Sequence, residues 1–135
     1  MGEIFADSFY WIAMANPSDQ WHKAAREFSR ANEEATLITT DEILVEFLNF
    51  FAESGEHMRC VVAQMCQQLM IHPNVVVLPQ TRTSFLEGLG LYEKRLDKGY
   101  SLTDCVSICA MRQSKVKDVL THDHHFAQEG FTVLL

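Results

Sequence analysis

Short apolar segments rich in β-branched residues alternate with longer amphipathic segments along the chain. The clearest short segments are TLITT at 36–40 and VVVL at 75–78, and three more are IFA near the start, DVLTHD at 118–123 and FTVLL at the end. Runs of this length and composition are typical of buried strands, and strands that alternate with helices usually lie parallel. The pattern therefore predicts an α/β fold: a three-layer sandwich in which a short, parallel five-stranded sheet lies between layers of helices.

About six helices are predicted between and around these strands. The segment QWHKAAREFSRA places apolar residues on one face and charged residues on the other, as expected for a helix that covers a sheet. Asp41 is predicted to cap the next helix, which runs to Gly55 and is apolar on most sides. Further helices are expected at 56–71, 80–96 and 101–114, with short helical turns after the first strand and at HHFAQEG.

The chain has 135 residues, of which 47% are hydrophobic, and this is enough for the core of a single domain over residues 1–135. The formal net charge of −7 argues against sequence-independent coating of DNA. It does not exclude a nucleic-acid enzyme, because bound cations offset the charge of an acidic metal site. No apolar run is long enough to span a bilayer, and Glu3 stands where a signal peptide is positively charged. We therefore expect a cytoplasmic protein without membrane contacts.

The four cysteines, Cys60, Cys66, Cys105 and Cys109, form no CxxC pair. Cys105 and Cys109 are four residues apart, and two thiolates on one helix face can contribute to a metal site. Both lie among apolar residues, however, so buried, reduced cysteines are favoured over metal ligands.

Three acidic residues stand where the predicted elements bring polar side chains to one edge of the sheet. Asp7 follows the first strand, and Asp123 ends the segment DVLTHD. Asp104 lies in the first turn of a helix whose N-terminus can face the same edge. Sites in open α/β sheets form beyond the carboxyl ends of the strands, so this edge is the predicted location of the chemistry.

A fourth acid, Glu46, lies within the apolar segment EILVEFLNFF. An isolated charge buried in such a helix is very costly, so its carboxylate requires a partner or a metal ion. The structural alternative is that Glu46 reaches solvent at the edge of the fold or pairs with an arginine.

The other three acids have structural alternatives as well. Asp7 and Asp123 can cap helical turns, and Asp104 can interact favourably with a helix dipole. Four carboxylates at one edge would nevertheless repel each other in the absence of cations. Because oxygen ligands suit Mg²⁺ or Mn²⁺, their joint placement indicates one or two such ions and attack by water on a phosphodiester.

The chain resembles the PIN-domain family, and most closely its VapC-type toxin ribonucleases. The resemblance extends over nearly the whole length and rests on the segments IFADSFYW, LVEFLNFF, YSLTDCVSICAMR and VLTHDHHFAQEGFTVLL. The last is the most specific, with a strand, the pattern T-x-D-x-x-F, a glycine and a final strand. The resemblance implies a parallel sheet flanked by helices, and Mg²⁺- or Mn²⁺-dependent cleavage of single-stranded or structured RNA.

The resemblance also assigns roles to the four acids. Asp7, Glu46 and Asp104 match the family's catalytic metal ligands, and Asp123 matches a fourth, more variable acid that acts directly or through water.

Three further residues are candidates for lining the site. Ser8 and Thr121 resemble polar residues that line the family's site, with plain turn and strand-end roles as the alternative. Arg112 follows Asp104 by eight residues, about two helical turns, so it can lie on the same side of its helix.

The segment THDHHF, at 121–126, combines three histidines with Asp123. Asp123 is predicted to carry the chemistry and Phe126 to pack against the sheet. The histidines are expected to lie at the surface or at the rim without a chemical role. A zinc site is not favoured, because the segment lacks a second, spaced pair of ligands.

The resemblance further implies an antitoxin-like partner protein, which inserts a basic side chain among the acids, and a homodimer. The alternative is a non-catalytic PIN-like module that binds RNA or protein. A phospho-receiver-like regulator is not favoured, because VVVL is followed by Pro79 and Gln80 and not by a phospho-acceptor aspartate.

Overall fold

The structure is a computed structural model that describes residues 2–135. Its strands are β1 (Glu3–Ala6), β2 (Thr36–Thr40), β3 (Val75–Leu78), β4 (Asp118–Leu120) and β5 (Thr132–Leu134). Its helices are α1 (Ser8–Ala15), α2 (His22–Ala31), α3 (Asp41–Phe50), α4 (Glu56–Ile71), α5 (Arg82–Lys94), α6 (Leu102–Ser114) and α7 (His124–Gln128). The predicted fold class, an α/β sandwich with a five-stranded parallel sheet, is confirmed.

The order of the strands in the sheet is β3-β2-β1-β4-β5. From β1 the chain builds outwards to β2 and β3, and it then returns to the other side of β1 to add β4 and β5. The order therefore reverses between β1 and β4, which are neighbours with Phe5 opposite Val119 and Ala6 opposite Leu120. A crevice opens at such a switch point beyond the carboxyl ends of the strands, and this is where ligands bind in folds of this kind.

Seven helices are present in the described part of the chain, against about six predicted. The segment expected to form a helical turn after β1 is the eight-residue helix α1. Asp7 is its N-cap, as predicted, because the Asp7 side chain accepts a hydrogen bond from the Ser8 N–H.

Three predictions about α3 were wrong. The helix ends at Phe50 and not at Gly55. Its N-cap is Thr40 and not Asp41, since the Thr40 hydroxyl oxygen accepts the Ile43 N–H at 3.1 Å. A helix that is apolar on most sides was also expected to be largely buried, but Val45 and Phe50 are 55% and 59% exposed. Fewer apolar side chains of α3 face the core than the sequence pattern contains. The helix therefore exposes some apolar side chains to solvent and packs others against the core.

The core lies on both faces of the sheet, where side chains from the strands meet those of the helices. Its fully buried large side chains are Ile4, Phe5, Tyr10, Ile43, Phe47, Val62, Ile108, Met111, Val119, Leu120 and Phe126. Burial of a side chain of this size contributes about 1.5–3 kcal/mol. The predicted packing of Phe126 is therefore confirmed, and it anchors the short helix α7 beside the end of β4.

Helices α5 and α6 cross closely at Gly88. A Cβ atom built on Gly88 would lie 2.5 Å from Val106 Cγ2, whereas one built on Gly90 meets nothing within 4 Å. Gly88 is thus a packing residue inside a helix, where glycine is otherwise unfavourable.

The cysteines are free. Cys105 and Cys66 are buried and Cys109 is partly buried, as favoured from the sequence, but Cys60 is exposed on α4. Among residues 2–135, no helix has the length and apolar character needed to cross a bilayer.

Candidate active site

Asp7 lies at the switch point between β1 and β4. Its backbone N–H donates to Leu120 O at 3.2 Å, which continues the pairing of the two strands by one residue. The residue is 6% exposed, and its carboxylate accepts two hydrogen bonds, from the Ser8 N–H at 2.9 Å and from the Thr121 hydroxyl at 2.8 Å. Both carboxylate oxygens are therefore held in a fixed orientation.

Burial raises the pKa of the Asp7 carboxyl to about 7. The hydrogen bonds from Thr121 and Ser8 act in the opposite direction, and the nearby carboxylates of Glu46 and Asp104 add to the increase. A bound cation would offset both burial and repulsion, because opposite charge favours the ionised form. The electrostatics of Asp7 thus fit a residue whose carboxylate meets a cation.

Glu46 is connected to Asp7 through Ser8. The Ser8 hydroxyl donates to Glu46 Oε1, while the backbone N–H of the same serine donates to Asp7. The sequence left open whether Glu46 pairs with an arginine or reaches the site. In the structure its carboxylate is partly buried and its partner is a serine next to Asp7.

Thr121 connects Asp7 to Asp123 in a similar way. It directly follows β4, it is fully buried, and its hydroxyl oxygen accepts the Asp123 N–H at 3.0 Å while donating to Asp7. Asp123 caps α7, since its carboxylate accepts the His125 N–H at 2.9 Å. Asp123 therefore caps a helix, which was its structural alternative, and is also joined to Asp7 through Thr121.

Asp104 reaches the same group from α6. It takes part in a capping box with Ser101, in which each side chain accepts the other's backbone N–H, at 3.0 and 3.1 Å. His125 Nδ1 lies 3.2 Å from Asp104 Oδ2 and 3.1 Å from Asp123 Oδ1. The imidazole therefore lies between the two carboxylates.

A continuous series of contacts thus joins the four predicted acids, in the order Glu46, Ser8, Asp7, Thr121, Asp123, His125 and Asp104. The acids come from four elements or their ends: the C-terminal end of β1, the middle of α3, the first turn of α6 and the residues after β4. The strand order and the start of α6 place Asp7, Asp123 and Asp104 at this end of the sheet, and Glu46 reaches it from the middle of α3.

His125 was missed as part of this group, since the histidines of THDHHF were expected to have no chemical role. A helical turn places His125 two residues beyond the cap Asp123, and only the position of α6 beside it supplies Asp104. Asp104, Asp123 and His125 each offer one ligand atom, and these atoms lie within 4.8 Å of one another. Two carboxylate oxygens with one imidazole nitrogen form a donor set that a divalent metal ion can accept.

Among the described residues, Arg112 forms its hydrogen bond with Glu129 and not with one of the four acids. Its guanidinium donates to Glu129 at 2.8 Å, and Arg95 makes two further bonds to the same carboxylate at 3.0 and 3.1 Å. The Tyr100 hydroxyl also donates to Glu129 at 2.8 Å, and its ring packs against His125 with centroids 4.8 Å apart. Glu129, which sequence reasoning did not single out, ties the end of α7 to α5 and α6.

No family model matches the chain. It is 23% identical over 128 residues to the 23S rRNA-specific endonuclease VapC20 of Mycobacterium tuberculosis, in strains CDC 1551 / Oshkosh and ATCC 25618 / H37Rv, which covers 95% of each chain.

Solved structures share the fold. The crystal structure of M. tuberculosis VapC20, described as a Sarcin-Ricin loop cleaving toxin, superposes with a TM-score of 0.84 at 19% identity, covering 96% of both chains. FitAcB from Neisseria gonorrhoeae has a TM-score of 0.68 at 16% identity and covers 98% of this chain and 96% of its own. FitAB bound to an IR36 DNA fragment has the same TM-score at 18% identity, covering 97% of this chain and 93% of its own. The resemblance to VapC-type proteins of the PIN-domain family, inferred from the sequence, is thereby confirmed.

Proposed function

We propose that this protein is a metal-dependent endoribonuclease that cleaves RNA phosphodiesters and acts as the toxin of a toxin–antitoxin pair. The observation that carries the proposal is the connected group of four acids at the switch point of the sheet. The likeness to VapC20, whose name describes a 23S rRNA-specific endonuclease, supports the same reaction class. Cleavage of single-stranded RNA and of the exposed loops of structured RNA are both compatible with such a site.

The residues have distinct roles in this proposal. Asp7, Glu46, Asp104 and Asp123 hold Mg²⁺ or Mn²⁺. When bound, the ion supplies an electrophilic centre for the phosphate and activates the attacking water. The chain's own contribution is to fix the carboxylates, since Ser8 orients Glu46 and Thr121 orients Asp7.

The predicted role of Arg112 at the site receives no support from its contacts, because its guanidinium binds Glu129. Lining of the site by Arg112 stays a prediction, and its observed contact is with Glu129, the residue that ends α7.

The partners follow from the surface of the protein. A homodimer is supported by the apolar side chains that α3 and α5 leave exposed, among them Val45, Phe50 and Leu86. An antitoxin-like protein is supported by the likeness to VapC20, which is described as a toxin, and by the acidic charge of the site, which a basic side chain would neutralise. A single domain and a cytoplasmic location remain predictions from the sequence.

The proposal is tested with purified protein, free of any partner, and a mixed-sequence RNA in Mg²⁺, in Mn²⁺ and in chelator. The test variant is Asp104→Asn, which preserves the capping geometry with Ser101 and removes the charge. The matched control is Asp118→Asn, because Asp118 lies at the amino end of β4, whereas the four acids gather beyond the carboxyl ends of the strands. Cleavage that needs metal, disappears in Asp104→Asn and persists in Asp118→Asn is the expected result.

A non-catalytic PIN-like module that binds RNA or protein is the alternative. It predicts intact RNA under all metal conditions, with binding that is the same in the wild type and in Asp104→Asn. That outcome would overturn the nuclease assignment.

A further inference from the structure

Three aromatic rings form a cluster that the proposed chemistry does not use. The imidazole of His122 lies between Phe9 and Trp21, with ring centroids 4.0 and 3.8 Å away, and the Phe9 and Trp21 centroids are 6.4 Å apart. The Trp21 ring is tilted by only 34° from the imidazole plane. We call these three residues the aromatic cluster.

Two residues of the aromatic cluster are chain neighbours of residues in the acidic site. Phe9 follows Ser8 in the first turn of α1, two residues after Asp7. His122 lies between Thr121 and Asp123, which are hydrogen-bonded to each other. The backbone that carries Asp7, Thr121 and Asp123 therefore also carries two rings of the cluster.

The rings of the aromatic cluster are partly exposed, unlike most aromatic side chains of the core. The contrast is clearest for the two tryptophans. Trp11 is 3% exposed, and its indole N–H donates to Thr39 at 3.3 Å. Trp21 retains exposed surface, and within residues 2–135 its indole N–H has no hydrogen-bond acceptor.

The backbone that presents Trp21 is held in place. Asp19 Oδ1 accepts the Trp21 N–H at 2.8 Å, and the Trp21 carbonyl accepts the Ala25 N–H at the start of α2. His22 Nδ1 lies 2.7 Å from the Ala13 carbonyl, which ties this turn to α1. A ring on such a rigid turn loses little conformational entropy when it binds.

The outer face of α2 is basic, although the protein as a whole is acidic. Lys23, Arg26 and Arg30 are exposed on this face, and the single acid of the helix, Glu27, lies 3.9 Å from Lys23. An anionic strand that passes the aromatic cluster therefore meets positive charge beyond Trp21.

We propose that the aromatic cluster of Phe9, Trp21 and His122 is a base-stacking subsite for an unpaired nucleotide next to the cleaved RNA bond. This inference rests on the proposed function, because it names how the same site holds its RNA. Aromatic side chains stack on any base through its π-face, and sequence-specific proteins bind RNA mostly at such unstacked bases. The subsite selects single-stranded or looped RNA, whose bases are free, over a continuous duplex.

The first experiment measures binding without cleavage, in an Asp7→Asn background and with a short mixed-sequence single-stranded RNA. Because Trp11 is buried, stacking is expected to quench the fluorescence of Trp21 alone. Trp21→Phe in the same background should remove the quenching and retain most of the affinity. Trp21→Leu should raise the Kd about 5- to 150-fold, as expected for the loss of one stacked base.

The matched control is Tyr92→Leu, since Tyr92 is an aromatic residue of α5 that is 47% exposed and lies outside the aromatic cluster. It should leave both the quenching and the Kd unchanged. A second series uses the same RNA with one base removed at a time. At one position next to the cleaved bond, base removal should weaken binding to the Trp21 protein and have little further effect on Trp21→Leu.

Failure of this inference is distinguishable from failure of the proposed function. If the wild type cleaves RNA but Trp21→Leu has unchanged KM, Kd and base dependence, the subsite is wrong and the nuclease stands. If Trp21→Leu fails to fold, the fluorescence of the Trp21 protein and of Trp21→Phe still decides the question. Quenching by RNA that is lost in Trp21→Phe supports the subsite, and the absence of quenching in the Trp21 protein overturns it. If the wild type neither cleaves nor binds RNA in Mg²⁺ or Mn²⁺, both proposals are overturned.

Discussion

The hydroxyl of Thr121 donates to Asp7 Oδ2 at 2.8 Å, although the two residues are 114 positions apart in the chain. The contact exists because β1 and β4 are neighbours in the sheet and end at the same edge. The same hydroxyl oxygen accepts the Asp123 N–H, so one side chain fixes two of the proposed metal ligands.

Replacement of Thr121 by valine is therefore expected to affect both stability and cleavage. Thr121→Val leaves a buried carboxylate oxygen and a backbone N–H without their partner, which should lower the free energy of unfolding by about 1–3 kcal/mol. Because the orientation of Asp7 and Asp123 is lost, RNA cleavage should fall about 10- to 100-fold. Thr121→Ser keeps the hydroxyl and should retain most of the activity. Equal cleavage rates for the valine and serine variants would contradict the orienting role.

The raised pKa of Asp7 has a consequence for the metal-free protein. Its folded value of about 7 lies above the ordinary value of 3.8, so between these values the folded chain binds more protons than the unfolded chain. The contribution of Asp7 to stability is therefore greatest below about pH 4 and is lost as the pH rises towards 7. Asp7→Asn should stabilise the metal-free protein at about pH 8, by up to about 4 kcal/mol, and have little effect near pH 4.

This prediction is checked by urea unfolding in chelator at both pH values, with Asp118→Asn as the control for loss of one charge. Added Mn²⁺ should reverse the order at the higher pH, because it stabilises the wild type and not Asp7→Asn. A variant that is less stable than the wild type in chelator at about pH 8 would contradict the electrostatic description of the site.

The Glu129 ion pairs have the opposite dependence on pH. Hydrogen bonding to Arg95 is the main cause that lowers the pKa of Glu129 to about 2, with further contributions from Tyr100 and Arg112. Since the folded value lies below the ordinary 4.5, the stabilisation is present above about pH 4.5 and is lost as the pH falls towards 2.

Glu129→Gln is expected to lower the free energy of unfolding by about 2–3 kcal/mol at neutral pH, less than for a fully buried pair, because Arg95 and Arg112 are partly exposed. The difference from the wild type should shrink as unfolding is measured below about pH 4.5. Glu93→Gln, which changes an exposed acid of α5, is the control and should have little effect. A difference that is independent of pH would show that charge is not the cause.

The two glycines of α5 provide a matched pair. Gly88→Ala places a methyl group against Val106 and should destabilise the protein by about 1–3 kcal/mol through overpacking of the α5–α6 contact. Gly90→Ala meets open space and should stabilise it by about 0.5–1 kcal/mol, because alanine is the better helix former. Thermal unfolding of both variants tests the pair, and equal shifts in Tm would contradict the close crossing.

Much of the fold follows from local patterns in the sequence. The bounds of β2, β3 and α4 coincide with the segments 36–40, 75–78 and 56–71 that were predicted, because a continuous β-branched run and a helical apolar period are properties of the segment itself. The parallel sheet follows from the alternation of strands and helices. The acids stand at the ends of these elements, and this predicted that they lie near one end of the sheet.

Contacts between distant segments required the tertiary structure. The partner of Glu46 is Ser8, 38 positions away, and His125 meets Asp104 across 21 positions, because α7 docks beside α6. No periodicity records either contact, so the sequence left Glu46 with several possible partners and His125 with none. The sequence by itself determined the strands, the helices and which acids lie at the end of each. The packing of these elements decided which hydroxyl and imidazole groups join the acids, because a hydrogen bond depends on distance in space and not along the chain.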